Sequence, residues 1–386
     1  MIPHGCTLVL AEFFLPMVGG SINWLINSYS RYPKDTAVLI APRCDDPGSI
    51  DGELSFQVTR LPGPMPSWDP VVPSSWPEYW SALRHVMMVC DQHGVEQIHC
   101  AKVLPEGLLA MALRLRRSIP YVIYAHGEEI QICQTSRMLK WLLPKVYNGA
   151  AAIIANSTNT KNILESVGVV PRKIHIIHPG VNAKEFTDQD FLGDEIRKRH
   201  KLVGPVLLTV GRLQRRKGQD MVIKVLPEVK KIIPSINYLV VGSGDEAAYL
   251  QNLAYECGVA DCVVFAGKVS DDELPAYFSA CDVFVMPNRQ IGEDIEGFGM
   301  VYLEAGAAGK PVIGGNSGGT GDAIMDGVTG LRVDGDNLEA LRHAILTILH
   351  DPAKANRMGE EGRRRVMNEF SWEQVTSKTR SLLVSL

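Results

Sequence analysis

Residues 296–313, EGFGMVYLEAGAAGKPVI, place a turn, a helix and a strand directly after one another. The Gly-Phe-Gly turn follows Glu296, and the helical pattern ends at a Gly-Lys-Pro stop signal over residues 309–311. Val312 and Ile313 then begin an apolar, strand-like run. A helix that leads through a short loop into a buried strand is typical of parallel α/β sheets.

The same alternation of short β-type runs and longer helical patterns covers the rest of the chain, in two series of similar length. The first series contains the predicted strands Thr7–Ala11, Ala37–Ile40, Ile98–Cys100, Tyr121–Tyr124, Ala152–Ala155 and Ile174–Ile177. The second contains Val206–Val210, Tyr238–Val241, Cys262–Phe265, Val283–Met286, Pro311–Ile313 and Gly330–Val333. Strands that alternate with helices form parallel sheets covered on both faces. We therefore predict an α/β fold with two Rossmann-like, doubly wound parallel-sheet domains.

The domain boundary is predicted after residues 178–182, where turn residues cluster. The first domain then spans residues 1–182 and the second residues 183–369, and a helix over about 370–386 returns to pack on the first domain. Ligands of open α/β sheets bind at the carboxyl ends of the strands, so two facing domains would form a cleft there. The proline-rich segment 61–77 is predicted to be a long irregular loop.

Composition narrows the class of protein. The 386 residues carry a formal net charge of −4 and are 46% hydrophobic, which is ordinary for a globular enzyme and unlike a nucleic-acid-binding protein. Eight cysteines without a C-x-x-C pair indicate a reducing compartment. No apolar run is long enough to cross a bilayer, and residues 1–4 lack the basic start of a signal peptide. We expect a cytoplasmic enzyme that can still rest on a membrane surface, and the oligomeric state stays open.

Metal-binding patterns are weak. The D-x-D pairs Asp188/Asp190 and Asp334/Asp336 resemble metal-binding motifs, but neither ends a convincing catalytic strand. We therefore expect no metal and no other cofactor.

The two acids of the opening stretch indicate a binding site. Glu296 is predicted to precede a helix, and Glu304 to lie about two turns into it. The first N–H groups of that helix, from Gly297 to Met300, would form an anion site between the acids. An acid, a phosphate site and a second acid in series match a sugar nucleotide, which has hydroxyls at both ends and phosphates between them.

Two alternatives compete for the same pair of acids. Glycosidase carboxylates stand roughly 5 to 9.5 Å apart, whereas eight residues of helix separate two side chains by about 12 Å along the axis. A two-carboxylate hydrolase is therefore disfavoured. The other alternative is a solvated helix with an acid near its N-terminus, and the stretch alone does not exclude it.

Glycines and basic residues follow other predicted strands. Gly19 and Gly20 come after the first strand and would let the backbone approach a phosphate. Arg212 directly follows Val206–Val210, and Lys217 comes five residues later, so the two could hold a diphosphate. The neighbouring Arg215 and Arg216 are interpreted as members of a solvated basic loop.

Residues 242–247, GSGDEA, match the dinucleotide fingerprint G-x-G-x-x-A. An NAD site also needs an acid after the next strand, where this chain has Gly267 and Lys268, so an NAD enzyme is disfavoured. His126 follows the strand Tyr121–Tyr124 and is predicted either to contact substrate or act as an acid or base, or to be satisfied within its loop.

Together these motifs resemble the retaining GT-B glycosyltransferases of the large family that includes bacterial phosphatidylinositol mannosyltransferases and sucrose synthases. The motifs that carry the resemblance are Gly19-Gly20, His126, Asn156-Ser157, residues 178–181, Gly211-Arg212 with Lys217-Gly218, residues 242–244, Glu296 with Glu304, and Gly318-Gly319.

The resemblance implies a role for each of these residues. Gly19 and Gly20 would approach the donor phosphates, with Gly242 in the same substrate site, and Arg212 and Lys217 would neutralise the departing diphosphate. Glu296 would bind donor-sugar hydroxyls, Glu304 the ribose, and His126 would face the donor sugar. Backbone groups would complete the site: Gly297, Phe298, Gly299, Met300 and Val301 towards sugar and phosphate, and Lys268 and Val269 towards the base.

The implied reaction is metal-independent transfer of a hexosyl group with retention, from a nucleotide-diphosphate sugar to a hydroxyl of a lipid, glycan or small molecule. GDP-mannose is the favoured donor and a UDP-sugar the alternative. Retention without an obvious nucleophile would imply front-face transfer, in which a donor phosphate oxygen helps to deprotonate the acceptor. Two other functions stay open at this point: a sugar-nucleotide epimerase of the same fold, and a nucleotide-binding module without catalysis.

Overall fold

The computed structural model describes residues 5–17, 19–67, 69–70, 72–132, 136–187 and 189–386. The segment read for a signal peptide, two residues of the 61–77 loop and Asp188 therefore lie outside the described residues. Within the described ranges, no helix is both long enough and apolar enough to cross a membrane.

The chain divides into two compact units. The first comprises residues 1–179 and 372–386, and the second residues 180–371. These limits lie within a few residues of the predicted boundary at 182 and of the predicted C-terminal segment from about 370.

The first unit is built on a parallel sheet of seven strands in the order β3-β2-β1-β4-β5-β6-β7. Its strands are β1 (Cys6–Leu10), β2 (Ala37–Ala41), β3 (Gln57–Arg60), β4 (Val95–Cys100), β5 (Tyr121–Ala125), β6 (Ala152–Ala155) and β7 (Ile174–Ile176). Its helices are α1 (Gly20–Tyr29), α2 (Pro47–Asp51), α3 (Trp76–His93), α4 (Leu108–Arg117), α5 (Glu128–Ile132), α6 (Arg137–Gly149), α7 (Thr158–Ser166) and, from the C-terminus, α16 (Trp372–Val384).

The second unit is built on a parallel sheet of six strands in the order β10-β9-β8-β11-β12-β13. Its strands are β8 (Val206–Val210), β9 (Asn237–Val241), β10 (Val263–Gly267), β11 (Val283–Met286), β12 (Val312–Gly315) and β13 (Gly330–Val333). Its helices are α8 (Asp190–Arg199), α9 (Gln219–Ile232), α10 (Ala247–Glu256), α11 (Leu274–Ala280), α12 (Met300–Ala307), α13 (Thr320–Ala323), α14 (Leu338–Leu349) and α15 (Pro352–Glu369).

Every predicted strand overlaps an observed one, and the two doubly wound parallel sheets are confirmed. Strand β3 is observed but not predicted. Its sequence, QVTR, has one apolar residue, since β3 lies at the edge of the sheet and pairs only with β2. An edge strand that is not buried on both faces lacks the continuous apolar run that marks the central strands.

Alternation along the strands explains how each sheet is covered. Leu8 and Leu10 of β1 join one buried cluster, while Val9 joins another on the opposite face. Helix α16 adds to the core of the first unit, where Trp372 is buried with Trp24 in one cluster. The predicted return of the C-terminal helix to the first sheet agrees with this packing.

Candidate functional site

The loop after β8 brings two cations together. A 3₁₀ turn spans Arg215–Lys217, and Gly218, with φ 78°, leads into α9. A Cβ atom at Gly218 would overlap the carbonyl oxygen of Pro287, so only glycine lets this turn press against the loop that follows β11. The turn therefore has one position, which directs Arg216 and Lys217 towards Glu296.

Glu296 is the residue on which these cations converge. Its Oε2 accepts hydrogen bonds from Lys217 Nζ at 2.5 Å and from Arg216 Nη1 at 2.7 Å. The residue is only 8% exposed, and burial raises the pKa of its carboxyl. Lys217 and Arg216 more than offset that effect, so the pKa lies below its usual value. Glu296 is an ionised, cation-paired carboxylate at neutral pH.

The prediction that the Arg216 side chain is solvated is wrong. This side chain is mostly buried and pairs with Asp294 at 2.9 Å as well as with Glu296. Arg215 does face solvent, where it pairs with Glu246. Four basic residues in one loop carry no periodic signal that separates them. Only the 3₁₀ turn decides which of them points inward.

Arg212 and Lys217 have different surroundings. Lys217 is buried on Glu296, whereas Arg212 is exposed and its carbonyl accepts a hydrogen bond from Gln219 at 3.2 Å. The predicted role of Arg212 at a departing diphosphate stays a prediction.

The turn between Glu296 and α12 is held by glycines from two loops. Gly299, with φ 89°, precedes Met300, the first residue of α12. A Cβ at Gly318 would overlap the carbonyl oxygen of Glu296, and the N–H of Gly319 donates to the same oxygen at 2.9 Å. The 317–319 turn thus clamps the backbone beside the carboxylate.

The start of α12 supplies backbone donors. The first N–H groups of an α-helix have no partner within the helix, and Met300 and Val301 occupy these positions. The ring of Phe298 lies in the core against Phe370, with centroids 6.1 Å apart. Phe298 could therefore contact a ligand through its backbone only.

Glu304 is closer to the helix start than predicted. It is the fifth residue of α12, so it lies about one turn into the helix rather than two, roughly 6 Å along the axis from Met300. The difference arises because the glycine turn extends to Gly299 before the helix begins. Among the described residues, Oε2 of Glu304 is buried without a hydrogen-bond partner. Burial, with Asp271 and Glu185 nearby, raises the pKa of this carboxyl to about 7.

The glycines of the 242–247 fingerprint have a packing reason. A Cβ at Gly242, where φ is 134°, would overlap the carbonyl oxygen of Gly211, and one at Gly244 would come within 2.5 Å of the carbonyl oxygen of Leu213. The N–H of Leu213 also donates to Ser243 at 3.0 Å. The match to a dinucleotide motif thus reflects close packing of the loops after β8 and β9. Beyond β10, Lys268 is exposed and Val269 is partly buried.

In the first unit, His126 follows β5 as predicted. Its Nε2 donates to the carbonyl oxygen of Ala101 at 3.1 Å, and its backbone N–H donates to Glu129 at 2.8 Å. Burial lowers the pKa of the ring, which therefore stays neutral and leaves Nδ1 as an acceptor.

The glycine pair after β1 stands at the start of α1. Gly19 has an extended φ of 174°, and a Cβ there would meet no atom within 4 Å. Neither backbone conformation nor packing inside the chain requires glycine at this position, which leaves room for a ligand.

Family models match both units. The model described as "Glycosyl transferases group 1" matches residues 194–365, and the one described as "Glycosyltransferase Family 4" matches residues 35–185. A GDP-mannose-dependent alpha-(1-6)-phosphatidylinositol monomannoside mannosyltransferase of Mycolicibacterium smegmatis is 31% identical over 97% of each chain. The enzyme of the same name from Mycobacterium tuberculosis is 34% identical over 76% of each chain.

The chain is a GT-B glycosyltransferase. It belongs to the family that contains these phosphatidylinositol mannosyltransferases, as the sequence motifs indicate. Solved structures agree on the fold: HepE of Anabaena with bound UDP and glucose superposes with a TM-score of 0.82 at 19% identity, over 99% of this chain and 100% of that one. The sucrose-phosphate synthase of Thermosynechococcus elongatus gives 0.81 at 23% identity, over 99% of each. These findings favour a glycosyltransferase over the two alternatives, a sugar-nucleotide epimerase and a nucleotide-binding module without catalysis.

Proposed function

We propose that this glycosyltransferase moves a mannosyl group from GDP-mannose to a hydroxyl of a lipid-linked acceptor, with retention and without a metal. The names of the mannosyltransferase relatives support the donor and the acceptor class. The observation that carries the proposal is the row formed by Glu296, its two cations, the start of α12 and Glu304. A UDP-sugar is the alternative donor.

Each part of this row fits one part of a nucleotide sugar. One oxygen of Glu296 accepts from Lys217 and Arg216, which leaves Oε1 to accept from sugar hydroxyls. The cations and the N–H groups from Gly297 to Val301 suit the diphosphate. The unpartnered Oε2 of Glu304 suits a ribose hydroxyl, which would satisfy a buried oxygen that now lacks a partner.

The proposed chemistry is a single exchange at the anomeric carbon. The bond from that carbon to the diphosphate oxygen breaks, the bond to the acceptor oxygen forms on the same face, and the acceptor proton passes to the departing phosphate. Negative charge grows on the diphosphate as the bond breaks. Lys217, Arg216 and the predicted Arg212 stabilise that charge, which is the largest contribution that such a site makes. His126, Gly19 and Gly20 keep their predicted roles at the sugar and phosphates.

A peripheral position on the cytoplasmic face of a membrane completes the proposal. Helix α6 buries Leu139 and Leu143 in the core, as expected for an ordinary amphipathic helix. Its outer face also exposes Met138 (52%) and Trp141 (60%), and Lys145 Nζ lies 3.5 Å from the ring centroid of Trp141. Exposed tryptophan beside basic residues is typical of a surface that contacts lipid headgroups.

Thermal unfolding with a panel of donors tests the proposal. GDP-mannose, UDP-glucose and ADP-glucose are added separately, each with and without EDTA. We expect GDP-mannose alone to raise Tm, by the equivalent of about 2.7 kcal/mol when its concentration is a hundred times Kd. Transfer to phosphatidylinositol monomannoside, with the anomeric configuration of the product read by NMR, completes the test.

The possible results separate the parts of the proposal. A shift with UDP-glucose only would replace the donor and leave the enzyme class unchanged. Loss of transfer with EDTA, restored by a divalent metal, would overturn metal independence. A product of inverted configuration would overturn retention.

A further inference from the structure

The first unit has its topological switch point between β1 and β4. The chain leaves β1 towards β2 on one side of the sheet, whereas β4 pairs with β1 on the other side, and all these strands are parallel. Open α/β sheets bind ligands in the crevice that forms outside the carboxyl ends of the strands at such a point. The residues that directly follow β1 and β4 are therefore the place to look for a second ligand.

Three side chains with different chemistry follow these two strands. Glu12 and Phe13 follow β1, and Lys102 follows β4. Lys102 Nζ lies 4.6 Å from the ring centroid of Phe13 and 4.0 Å from Glu128 Oε1. Phe13 is 38% exposed, so part of its ring faces solvent. Burial raises the pKa of Glu12, and the charge of Lys102 lowers it.

Glu106 fixes the backbone of Glu12 from the buried side. It is fully buried, and its Oε1 accepts the backbone N–H of Glu12 at 2.7 Å. Among the described residues its Oε2 has no hydrogen-bond partner. Burial and the nearby Glu12 raise the pKa of Glu106 well above its usual range. A buried carboxyl with an unpartnered oxygen beside a surface crevice is a costly feature that packing alone does not require.

The chemistry of the cluster selects its ligand. A carboxylate only accepts hydrogen bonds and an ammonium only donates them, so neighbouring hydroxyls, which do both, satisfy Glu12 and Lys102 together. The Phe13 ring offers an apolar surface for the C–H face of a ring. Glu12, Glu128 and Glu129 outnumber Lys102, which disfavours a phosphate.

We propose that Glu12 and Lys102 form an acceptor subsite that binds vicinal hydroxyls of a sugar or cyclitol ring packed on Phe13. Glu106 is a positioning residue in this subsite, because it acts through the backbone of Glu12. That the bound ring is the acceptor rests on the proposed function. The binding of a hydroxylated ring at this place does not depend on it.

Saturation-transfer NMR tests the binding directly. Methyl α-mannopyranoside and myo-inositol serve as separate probes, which distinguishes a sugar ring from a cyclitol ring. We expect ring-proton signals with the wild-type protein, and at least a fivefold loss in Phe13→Ala, Glu12→Gln and Lys102→Met. The signals should persist in Leu115→Ala, which removes an exposed apolar side chain from the far end of α4.

Glu106 has its own pair of variants. Glu106→Gln keeps an acceptor for the Glu12 N–H and should retain the signals, whereas Glu106→Leu should lose them while its thermal unfolding stays cooperative. Equal signals in the wild type, Phe13→Ala, Glu12→Gln and Lys102→Met would overturn the subsite, as would the absence of any signal with the wild-type protein.

Steady-state kinetics separates this inference from the proposed function. In an active enzyme, the three subsite variants should raise the acceptor KM at least tenfold and leave the GDP-mannose Kd within twofold. An unchanged acceptor KM in an active enzyme would overturn the subsite but not the proposed function. Binding of the ring probes without any transfer of mannose would overturn the proposed function but not the subsite.

Discussion

Glu296 and Glu304 are eight positions apart in the chain, yet the fold gives them opposite protonation behaviour. Two cations converge on Glu296 and hold the pKa of its carboxyl below the usual value. Burial, with Asp271 and Glu185 nearby, raises the pKa of Glu304 to about 7. Glu296 can therefore only accept hydrogen bonds, and Glu304 can accept or donate near neutral pH. This asymmetry suits two ends of one ligand better than an acid and base acting on one bond.

The three arginines of the β8 loop should respond differently to removal. Arg216→Ala loses a charged hydrogen bond to Glu296, which is worth about 1.5–3 kcal/mol, so kcat/KM should fall about tenfold to a hundredfold. Arg215→Ala is the matched control, because its partner Glu246 lies in a solvent-exposed pair, and it should stay within twofold. Arg212→Ala should raise the donor KM and lower kcat together if Arg212 meets the departing diphosphate.

Steady-state kinetics with varied donor concentration measures all three variants. Equal losses in Arg215→Ala and Arg216→Ala would contradict the inward direction of Arg216. Unchanged kinetics in Arg212→Ala would remove that residue from the site.

The loops at the strand ends depend on glycine for contact with one another. Gly242 packs on Gly211, Gly318 on Glu296 and Gly218 on Pro287, and at each position a Cβ would overlap a backbone carbonyl. These contacts connect the ends of neighbouring strands, where the candidate site lies. The glycines therefore serve the site through the positions of the loops, even where no ligand touches them.

Gly242→Ala should be markedly destabilising. The added Cβ meets the Gly211 carbonyl, and φ is 134°, so we expect the free energy of unfolding to fall by about 2–4 kcal/mol. Gly258→Ala is the control, because its φ of 68° is also positive but no atom lies within 4 Å of its Cβ. It should cost about 1 kcal/mol from backbone strain alone. Urea unfolding measures both, and equal losses would contradict the packing explanation.

The proposed membrane contact concerns the protein as a whole, and we expect α6 to form the contact surface. Trp141→Ala with Met138→Ser should reduce flotation with phosphatidylcholine vesicles that contain phosphatidylglycerol at least threefold, since both exposed apolar side chains are lost. Leu115→Ala, also on the first unit and 83% exposed, should float like the wild type. Flotation that is the same in all three proteins would exclude α6 as the contact surface.

The two-sheet architecture could be predicted almost completely from the chain. The central strands are buried on both faces, so they read as apolar runs, and the helices between them imply parallel sheets. Edge strand β3 could not be predicted, because only one of its four residues is apolar. The start of α12 at Met300 could not be predicted either, because the residues before it fit both a glycine turn and the first turn of a helix.

The sequence by itself determined the fold class, the order of the motifs and the family, because apolar periodicity and turn residues are local signals. Only the tertiary structure decided which basic residues reach Glu296, why Gly242 is a glycine, and that Lys102 lies on the ring of Phe13. Those contacts join residues that are tens of positions apart in the chain. Their geometry depends on sheet order and on loop packing, neither of which is encoded in the spacing of residues along one segment.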